Sequence, residues 1–579
     1  MSTEHPPAVH SILAADFGSV NTRAVLVDVV DGQYRLVSCA SALTTDAPPI
    51  GDVGVGLRRA VEDMSNLTGR TLVRGDELIV GEQPDGSGTD VFLATASGGR
   101  PMKAVLVGLM PEISVATGRR TLGSTYVDIM DTISLADVRS TEDQVNTILK
   151  HKPDLIFVVG GTDGGASDSV LSLLKTVRLA ATLARGYQPV VLYAGNETLK
   201  STVEEMLGKS VTLYMSHNVR PNIFDEQLAP AQLELALVYG GYKSINAGGF
   251  TEMQQKSQLG VLPTAQSYAN IVHYLGELPG AGIGVMCVDV GSSTVTICAS
   301  IRKQPYITIR SDLGLGHSAV SGVKAVGAKS IQRWLTFNAS ETDIMDYAYN
   351  KSLRPATVPQ ISQDLELEYA IARELIRNAV AGARASWRGI PRGDLLPAMR
   401  PIIGAGSVLA QAIDPGIGAL LMLDALQPVG VSELRLDPYG VIAALGAAAY
   451  VEPLATIQVM DSGGLFNLGT AISPLGKTRD SKAMDVTVRT AERTVQLSVG
   501  MGNLEVVDLP SGQKARVAIK LSSGLTLNGK REVTLDVEGG AAGLILDGRG
   551  RPFSPPSQVE RRAQILPRWY AAVRSGNKS

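Results

Sequence analysis

Two stretches decide the fold: AADFGSVNTRAVLVD at Ala14–Asp28 and CVDVGSSTVTI at Cys287–Ile297. Each begins as an apolar strand that ends in an aspartate, Asp16 or Asp289. A glycine and a serine follow one residue later, then a small polar turn and a second apolar strand. This pattern predicts a β-hairpin in both stretches. The two aspartates lie 273 positions apart (289 minus 16), so the sequence indicates a duplicated unit.

The residues of these hairpins suit phosphate binding. Gly18 or Gly291 allows a tight turn that brings backbone N–H groups toward an anion. The serine and threonine hydroxyls of the turn can donate to phosphate oxygens. A carboxylate at the end of a buried strand is costly when unpaired, and a divalent cation or its water shell offsets that cost. Either hairpin taken alone is also compatible with an ordinary Asx-type turn between strands.

A third glycine motif follows the second hairpin. The segment PIIGAGSVL at Pro401–Leu409 predicts an apolar strand, a bend and a helix. Gly404 and Gly406 would let the backbone lie flat against a purine or a ribose. A lone Gly-x-Gly is weak evidence for a nucleotide site, but its position after the second hairpin strengthens that interpretation.

Composition excludes several classes of protein. The 579 residues exceed what one hydrophobic core supports. A net charge of −3 gives no basic surface for nucleic acid. No apolar run reaches about 18 residues, so no membrane span is expected. The three cysteines form no CxxC pair and the six histidines are scattered, which predicts a reduced, cytoplasmic protein without a histidine–cysteine metal site. Cys287 and Cys298 are expected as buried thiols on neighbouring strands.

Periodicity predicts four regions along the chain. The first is strand-rich, the second alternates strand and helix around a small parallel sheet, the third returns to a hairpin followed by helices, and the last is β-rich. The last is interpreted as a separate accessory domain. The predicted boundaries are 11–139, 140–260, 261–453 and 454–579.

The order of the three motifs resembles the phosphate-1, phosphate-2 and adenosine motifs of the actin/hexokinase/heat-shock-chaperone ATPase superfamily. Leu262–Gln266 resembles the start of the first connecting helix, and Gly440–Ala449 resembles the second. Asp312–His317 looks like the glycine turn after phosphate-2. The resemblance implies an α/β fold with duplicated actin-like (ribonuclease H-like) ATPase domains, an inserted α/β unit and a C-terminal β-rich domain.

The whole chain, including the loop Gly160–Gly165 and the β-rich tail, resembles the MutL family associated with glutamate mutase, which is distinct from the mismatch-repair protein of that name. Membership would imply an ATP- and Mg²⁺-dependent, actin-like ATPase. Its partner would be an adenosylcobalamin-dependent carbon-skeleton mutase, which it would reactivate or help to assemble. The resemblance leaves homo-oligomerisation open.

The resemblance also implies a role for each matched residue. Asp16 and Asp289 hold Mg²⁺ through water, and Asp289 also orients the attacking water. The phosphates are cradled by residues of the two turns and of the glycine turn, namely Gly18, Ser19, Asn21, Thr22, Gly291, Ser292, Ser293, Thr294, Gly314 and Gly316. The base and the ribose are lined by Gly404, Gly406 and Ser407.

One position departs from the chaperone pattern. Chaperones place a carboxylate just before the Pro-Thr-Ala of the connecting helix, where this chain has Leu262. Gln266 is the nearest polar candidate for a catalytic role, although a surface glutamine fits the sequence equally well. With no strong general base in sight, we expect slow hydrolysis suited to a switch.

Two segments leave alternatives open. Gly160–Gly165 is favoured as a glycine-rich turn with Asp163 or Asp168 capping the next helix. Alternatively, its amides bind an anion or cofactor and the inserted unit contacts a partner enzyme. The closing segment Arg561–Arg574 is either a docking helix or, more commonly, a helix packed on its own domain.

Three function classes compete. The first is an ATP-driven reactivating or chaperone-like factor that opens and closes two lobes. The second is a small-molecule kinase, because Thr22-Arg23-Ala24 also resembles the sugar-kinase form of phosphate-1. The third is an actin-like filament or structural protein that uses the tail for assembly.

Overall fold

The computed structural model describes residues 9–280, 282–388, 390 and 395–574. The chain divides into two compact units. The first unit contains the chain up to Leu26 together with Ala40–Ser267, and the second contains Val27–Cys39 and the chain from Tyr268 onward. Within the described ranges, no helix is both long and apolar enough to cross a membrane.

Strands and helices up to the end of α8 come first. The strands are β1 (Ser11–Phe17), β2 (Asn21–Val30), β3 (Gln33–Leu43), β4 (Val73–Arg74), β5 (Glu77–Leu78), β6 (Val91–Ala96), β7 (Met102–Val107), β8 (Val127–Ile133), β9 (Leu155–Val158), β10 (Val190–Tyr193), β11 (Thr212–Met215) and β12 (Val261–Pro263). The helices are α1 (Val53–Thr68), α2 (Ala116–Leu122), α3 (Thr141–His151), α4 (Ser167–Leu183), α5 (Lys200–Leu207), α6 (Ala229–Asn246), α7 (Phe250–Lys256) and α8 (Thr264–Glu277). The β-hairpin predicted for Ala14–Asp28 is therefore confirmed.

Local chemistry explains where α1 begins. The Asp52 side chain accepts a hydrogen bond from the backbone N–H of Gly54 at 2.7 Å, which satisfies one of the unpaired amides at the helix start. Leu57, Val61 and Met64 recur at helical spacing and are fully buried. The apolar face thus holds the helix in place.

The first sheet has the strand order β12-β6-β1-β2-β3. The hairpin strands lie on one side of β1, and β6 and β12 add on the other side in parallel. Thr95 of β6 is opposite Asp16 of β1. Numbered along the chain, the order is 5-4-1-2-3, as in ribonuclease H-like domains. The carboxyl ends of three parallel strands therefore meet at one edge.

The second sheet is the predicted small parallel sheet, with the order β11-β10-β9-β7-β8. It differs from the prediction in its extent, because β7 and β8 precede residue 140. β7 falls within the predicted strand-rich region 11–139, but it pairs with β9 rather than with the first sheet. Its residues are buried on both faces, so its apolar run carried no sign of which sheet it joins. The four-part boundaries remain a prediction.

The second unit continues in strands and helices after α8. Its strands are β13 (Gly284–Val290), β14 (Val295–Ile301), β15 (Gln304–Arg310), β16 (Ile402–Ala405), β17 (Gly430–Leu436), β18 (Phe466–Ser473), β19 (Leu475–Gly476), β20 (Lys482–Arg489), β21 (Thr494–Gly500), β22 (Leu504–Val507), β23 (Lys514–Leu521), β24 (Leu525–Thr526), β25 (Glu532–Glu538) and β26 (Leu544–Asp547). Its helices are α9 (Ala319–Val326), α10 (Ala328–Gln332), α11 (Glu341–Leu353), α12 (Ser362–Arg384), α13 (Ser407–Ala410), α14 (Pro415–Leu426), α15 (Val441–Ala448), α16 (Pro453–Asp461) and α17 (Val559–Val573).

The large sheet of the second unit repeats the first. Its order is β15-β14-β13-β16-β17-β18-β26-β22. β13 is antiparallel to β14 and parallel to β16, and β16 is parallel to β17. Numbered along the chain, these five strands have the order 3-2-1-4-5, which is the order of the first sheet read from its other edge. This duplicated topology confirms the predicted actin-like fold class. Cys287 lies opposite Cys298 across β13 and β14, and both thiols are buried, as expected.

The β-rich tail is present, but it lies inside the second unit. β18, β26 and β22 extend the large sheet, while β21-β20-β23-β25 form an antiparallel sheet of their own. Alternate residues of β23 are buried, so this sheet has one buried side and one solvent-facing side. Of the two interpretations of Arg561–Arg574, the structure shows a helix packed on its own unit, with Leu566, Trp569 and Val573 buried.

A fully buried ion network joins the tail to α12 and α14. Asp424 accepts from Arg373 at 2.8 Å and from Arg549 at 2.6 Å. Asp547 accepts from Arg549 at 2.8 Å and from Arg551 at 2.5 Å. All five side chains are at most 2% exposed. The network holds three cations against two anions, so each carboxylate is essential to its balance.

Candidate functional site

Asp16 sits where the carboxyl ends of β1, β6 and β12 meet. Its Oδ1 accepts hydrogen bonds from the Thr95 hydroxyl at 2.8 Å and the Thr264 hydroxyl at 2.6 Å. Thr95 belongs to β6, and Thr264 begins α8 directly after β12. Three separate elements of the first unit therefore fix one carboxylate. Neither threonine was predicted as part of the site, because only the strand order brings them to Asp16.

The Asp16 carboxylate lies in a place that favours a nearby cation. Burial raises its pKa above the ordinary aspartate value, while the hydrogen bonds from Thr264 and Thr95 and the charge of Arg23 act in the opposite direction. Its oxygens are hard donors of the kind Mg²⁺ takes. The residues the structure describes contain no group of three or more His, Cys, Asp or Glu side chains that could hold a metal. A magnesium ion would therefore need water or phosphate oxygens for its other positions.

The turn after β1 is closed by hydrogen bonds. The Gly18 N–H donates to the Asn21 carbonyl at 3.0 Å. The Thr44 hydroxyl donates to the Gly18 carbonyl at 2.7 Å and lies 3.0 Å from the Thr22 hydroxyl. Thr22 is fully buried, so its hydroxyl supports the turn from behind. Ser19 and Asn21 are half-buried in the turn.

The loop after β6 packs directly on this turn. The N–H groups of Ser97 and Gly98 both donate to the Phe17 carbonyl at 3.0 Å. A Cβ added to Gly98 would lie 2.8 Å from the carbonyl carbon of Gly18 and 2.9 Å from the Ser19 nitrogen. Only glycine fits there. This loop was not predicted as part of the site, although the Gly98-Gly99 pair at a strand end was a usable signal.

The second hairpin has the same turn as the first. The Gly291 N–H donates to the Thr294 carbonyl at 2.9 Å, which matches the bond that closes the Gly18 turn. Asp289 is half-buried at the end of β13, where it lies opposite Thr296 of β14 and Ala405 of β16. The sequence repeat is thus a repeat of backbone geometry.

The predicted glycine turn packs against this hairpin. The Leu315 N–H donates to the Gly291 carbonyl at 3.0 Å, and the Gly316 N–H donates to the Ser292 carbonyl at 2.9 Å. A Cβ on Gly314 would lie 2.4 Å from that Ser292 carbonyl oxygen, and one on Gly316 would lie 2.1 Å from the Ser292 hydroxyl. The two segments therefore form one closely packed loop pair.

His317 lies at this loop pair, although no role was predicted for it. Its backbone N–H donates to the Ser292 hydroxyl at 3.0 Å, and its Nδ1 lies 2.9 Å from the same oxygen. The Ser318 hydroxyl donates to the Ser293 carbonyl at 2.8 Å, and Thr294 is buried. His317 ends the Asp312–His317 stretch, so its position in that motif was the available signal.

The third motif lies beside the end of β13. Gly406 has a φ of +88°, and a Cβ there would lie 2.2 Å from the Val290 carbonyl oxygen. Gly404 is buried, and a Cβ on it would meet the Met422 sulfur at 2.7 Å. Ser407 begins α13 and is half-buried. The structure thus brings Asp289, its turn and Gly406 together within the second unit.

Asp437 is a further buried carboxylate near this motif. Its two oxygens accept from the N–H groups of Val441 at 2.8 Å and Ile442 at 2.9 Å, at the start of α15. The Asp437 N–H donates to the Gly404 carbonyl at 2.9 Å. It therefore ties the predicted second connecting helix to the adenosine motif, a link that sequence spacing did not reveal.

Gln266 is placed differently from a free catalytic amide. It is buried on α8, and its Nε2 donates to the Gln232 carbonyl of α6 at 2.8 Å. The alternative of a surface glutamine is therefore wrong, because α6 covers this face of α8. Its catalytic role stays a prediction.

The loop Gly160–Gly165 forms a compact glycine-rich turn whose partners differ from those expected. No side chain caps α4, whose N-cap is Ala166. Asp163 instead accepts from the Glu197 N–H at 3.0 Å and from Asn218 at 2.8 Å. The expectation that Asp163 or Asp168 caps the helix is wrong, and Asp163 is instead bound by donors from the loops after β10 and β11. Asn196 in turn accepts from the Gly164 N–H at 3.1 Å.

A family model described as MutL protein matches residues 12–463 of this chain. Protein MutL of Clostridium tetanomorphum is 24% identical over 487 residues, which cover 77% of this chain and 98% of that protein.

Solved structures show much weaker likeness. Nucleotide-free acetone carboxylase has a TM-score of 0.31 at 11% identity, covering 85% of this chain and 81% of its own. Nucleotide-free diol dehydratase-reactivating factor has a TM-score of 0.30 at 10% identity, covering 76% of this chain and 99% of its own. Scores this low support no conclusion, so the fold class rests on strand topology.

Proposed function

This chain belongs to the MutL family, and we propose that it binds and slowly hydrolyses ATP as a reactivating or chaperone-like factor for an adenosylcobalamin-dependent mutase. The observation that carries the nucleotide part is the repeated hairpin. In both copies an aspartate ends a central strand and a glycine N–H closes the turn, at 3.0 Å after Asp16 and at 2.9 Å after Asp289. Duplication of so specific a turn is typical of a phosphate clamp.

Each residue has a proposed task at the nucleotide. The backbone amides of the two turns bind the phosphates, with the Ser19 and Ser292 hydroxyls as additional donors. Bound Mg²⁺ would neutralise the polyphosphate. Asp16 and Asp289 would hold the ion through its water shell. Gly406 gives the base and ribose a backbone surface without a side chain.

Hydrolysis is proposed to be slow for a chemical reason. Asp289 accepts a hydrogen bond from the attacking water and orients it, but an aspartate carboxylate is a weak general base. Gln266, the other catalytic candidate, is an amide and cannot take a proton. Turnover limited in this way suits a protein whose nucleotide state sets its conformation.

The mutase part of the proposal rests on the family resemblance. The family is associated with glutamate mutase, and the curated relative matches along nearly its whole length. We propose that this chain acts on a mutase that has lost its active cofactor, and that nucleotide binding or release drives the replacement of that cofactor.

Calorimetry with Mg-ATP tests the nucleotide part. Asp16→Asn and Asp289→Asn should each weaken binding or stop phosphate release. Asp76→Asn is the matched control, because the Asp76 side chain is 95% exposed and should change neither. Failure of the folded parent to bind ATP would refute the proposal.

A second experiment tests the partner. The parent protein with ATP should restore turnover to an inactivated adenosylcobalamin-dependent mutase, and Asp16→Asn should not. ATP consumption that requires a small-molecule acceptor would point instead to a kinase, and sedimentation with ATP would point to a filament former.

A further inference from the structure

Lys243 is a deeply buried cation that the proposed mechanism does not yet use. It lies on α6 in the first unit and is 2% exposed. Lysine is among the residues least often buried, because its ammonium loses hydration unless it finds a partner. A lysine in this position therefore needs an explanation.

Lys243 and Tyr239, one helical turn apart on α6, bind the loop after β6 and the last residue of β6, respectively. The Lys243 ammonium donates to the Gly98 carbonyl. The Tyr239 hydroxyl donates to the Ala96 carbonyl at 3.1 Å. The ammonium also lies 5.2 Å from the centre of the Tyr239 ring, within the range of a cation–π contact. Residues four apart on a helix share one face, so α6 holds this segment at two carbonyls, that of Ala96 at the end of β6 and that of Gly98 in the loop.

The loop that Lys243 contacts is the one that packs on the turn Gly18–Asn21, which we call the first phosphate turn. Its Gly98 approaches the backbone of Gly18 and Ser19 so closely that a Cβ would have no room. Two of its N–H groups donate to the carbonyl of Phe17, directly before that turn. A displacement of Gly98 would therefore be passed to Gly18 and Ser19 through backbone contact.

We propose that Lys243 is a positioning residue for the first phosphate turn. It holds the Gly98 carbonyl, keeps Gly18 and Ser19 in the conformation that receives phosphate, and places a fixed positive charge behind them. The inference rests on the proposed function, in which this turn binds the phosphates of ATP. Because the contact joins residues 145 positions apart, no sequence motif announces it.

The charge of Lys243 gives the test a pH dependence. Burial lowers the pKa of Lys243 to about 8, and the charge of Asp46 acts in the opposite direction. Tyr239 of α6 lies against the ammonium, and Tyr239 in turn interacts electrostatically with Tyr126, Tyr242 and Asp16. Arg100 of the loop after β6 donates to the Tyr242 hydroxyl. Below pH 8 the ammonium is charged. As the pH rises through 8 the charge is lost, so affinity for an anion falls.

Mg-ATP binding at pH 7, 8 and 9 tests the proposal. Lys243→Met should bind at least roughly tenfold more weakly at pH 7, the loss expected for one buried charge-assisted hydrogen bond. The parent should lose affinity between pH 7 and 9, and Lys243→Met should not. Lys209→Met is the control, since Lys209 is exposed on the same unit and should follow the parent.

Several outcomes would overturn the inference. Equal affinity of Lys243→Met and the parent at pH 7 excludes a positioning role, while ATP binding by the parent leaves the proposed function standing. If Lys243→Met does not fold, the parent's pH profile decides, because a profile that is flat from pH 7 to 9 contradicts the role of the charge. Absence of ATP binding by the folded parent and by Lys209→Met would remove both the inference and the proposed function.

Discussion

Removing an anion from the buried network should destabilise the second unit more than removing a cation. The network contains Arg373, Arg549 and Arg551 against Asp424 and Asp547, all at most 2% exposed. Asp547→Asn leaves three cations with one anion. Arg549→Met leaves two cations with two anions, each still paired.

The expected magnitudes follow from this charge count. Breaking a buried ion pair by removing one partner costs about 3–5 kcal/mol. Asp547→Asn belongs at or above the upper end, because Arg551 loses its carboxylate partner and Arg549 keeps only Asp424, which it shares with Arg373. Arg549→Met belongs near the lower end, about 3 kcal/mol, since methionine fills much of the volume and no anion is left alone. The two variants should therefore differ by about 2 kcal/mol.

Urea unfolding followed by tryptophan fluorescence measures this difference. The three tryptophans of the chain, Trp334, Trp387 and Trp569, all belong to the second unit, so the signal reports that unit alone. Lys520→Ala provides the control. Lys520 pairs with Glu532 at 3.3 Å with both side chains at least 70% exposed, and such a pair contributes at most about 1 kcal/mol.

The outcome that refutes the reasoning is equally specific. If Arg549→Met costs as much as Asp547→Asn, the charge imbalance does not set the stability of the network. If both variants unfold like Lys520→Ala, the network contributes no more than an exposed ion pair, and apolar packing of the tail on α14 is sufficient.

Three further predictions follow from burial and backbone geometry. Burial acts to raise the pKa of Asp547, but the charges of Arg549 and Arg551 outweigh it and lower that pKa. The stabilising effect of Asp547 is therefore present above the ordinary aspartate pKa and is lost as the pH falls below that value. The unfolding midpoint, measured as the pH is lowered, should fall in the parent and fall less in Asp547→Asn. Gly406→Ala should weaken ATP binding and destabilise the fold by more than about 1–3 kcal/mol, whereas Gly512→Ala, which has a similar φ of +81° in open space, should cost only the backbone strain. Burial raises the pKa of all three cysteine thiols, so alkylation at pH 8 should leave them unmodified in the folded protein and modify them in urea; labelling of the native chain would contradict this.

Local patterns were sufficient for most individual strands and for the hairpins. The apolar runs before Asp16 and Asp289 identified β1 and β13, and Asp-x-Gly-Ser identified their turns. These features depend on residues close in sequence, whose side-chain period and turn chemistry act at short range. The duplicated topology could be predicted because the two copies share these local patterns.

Only the tertiary structure decided which distant segments meet. That β7 belongs to the second sheet could not be predicted, because a strand buried on both faces has no apolar–polar alternation that indicates its partner. Thr95 and Thr264 reach Asp16, and Lys243 reaches Gly98, through strand order and helix packing across 79 to 248 positions. Arg549 meets Asp424 across 125 positions for the same reason. Sequence by itself determined the hairpins and predicts their phosphate chemistry, whereas the groups that hold those hairpins in place are long-range partners that no local pattern encodes.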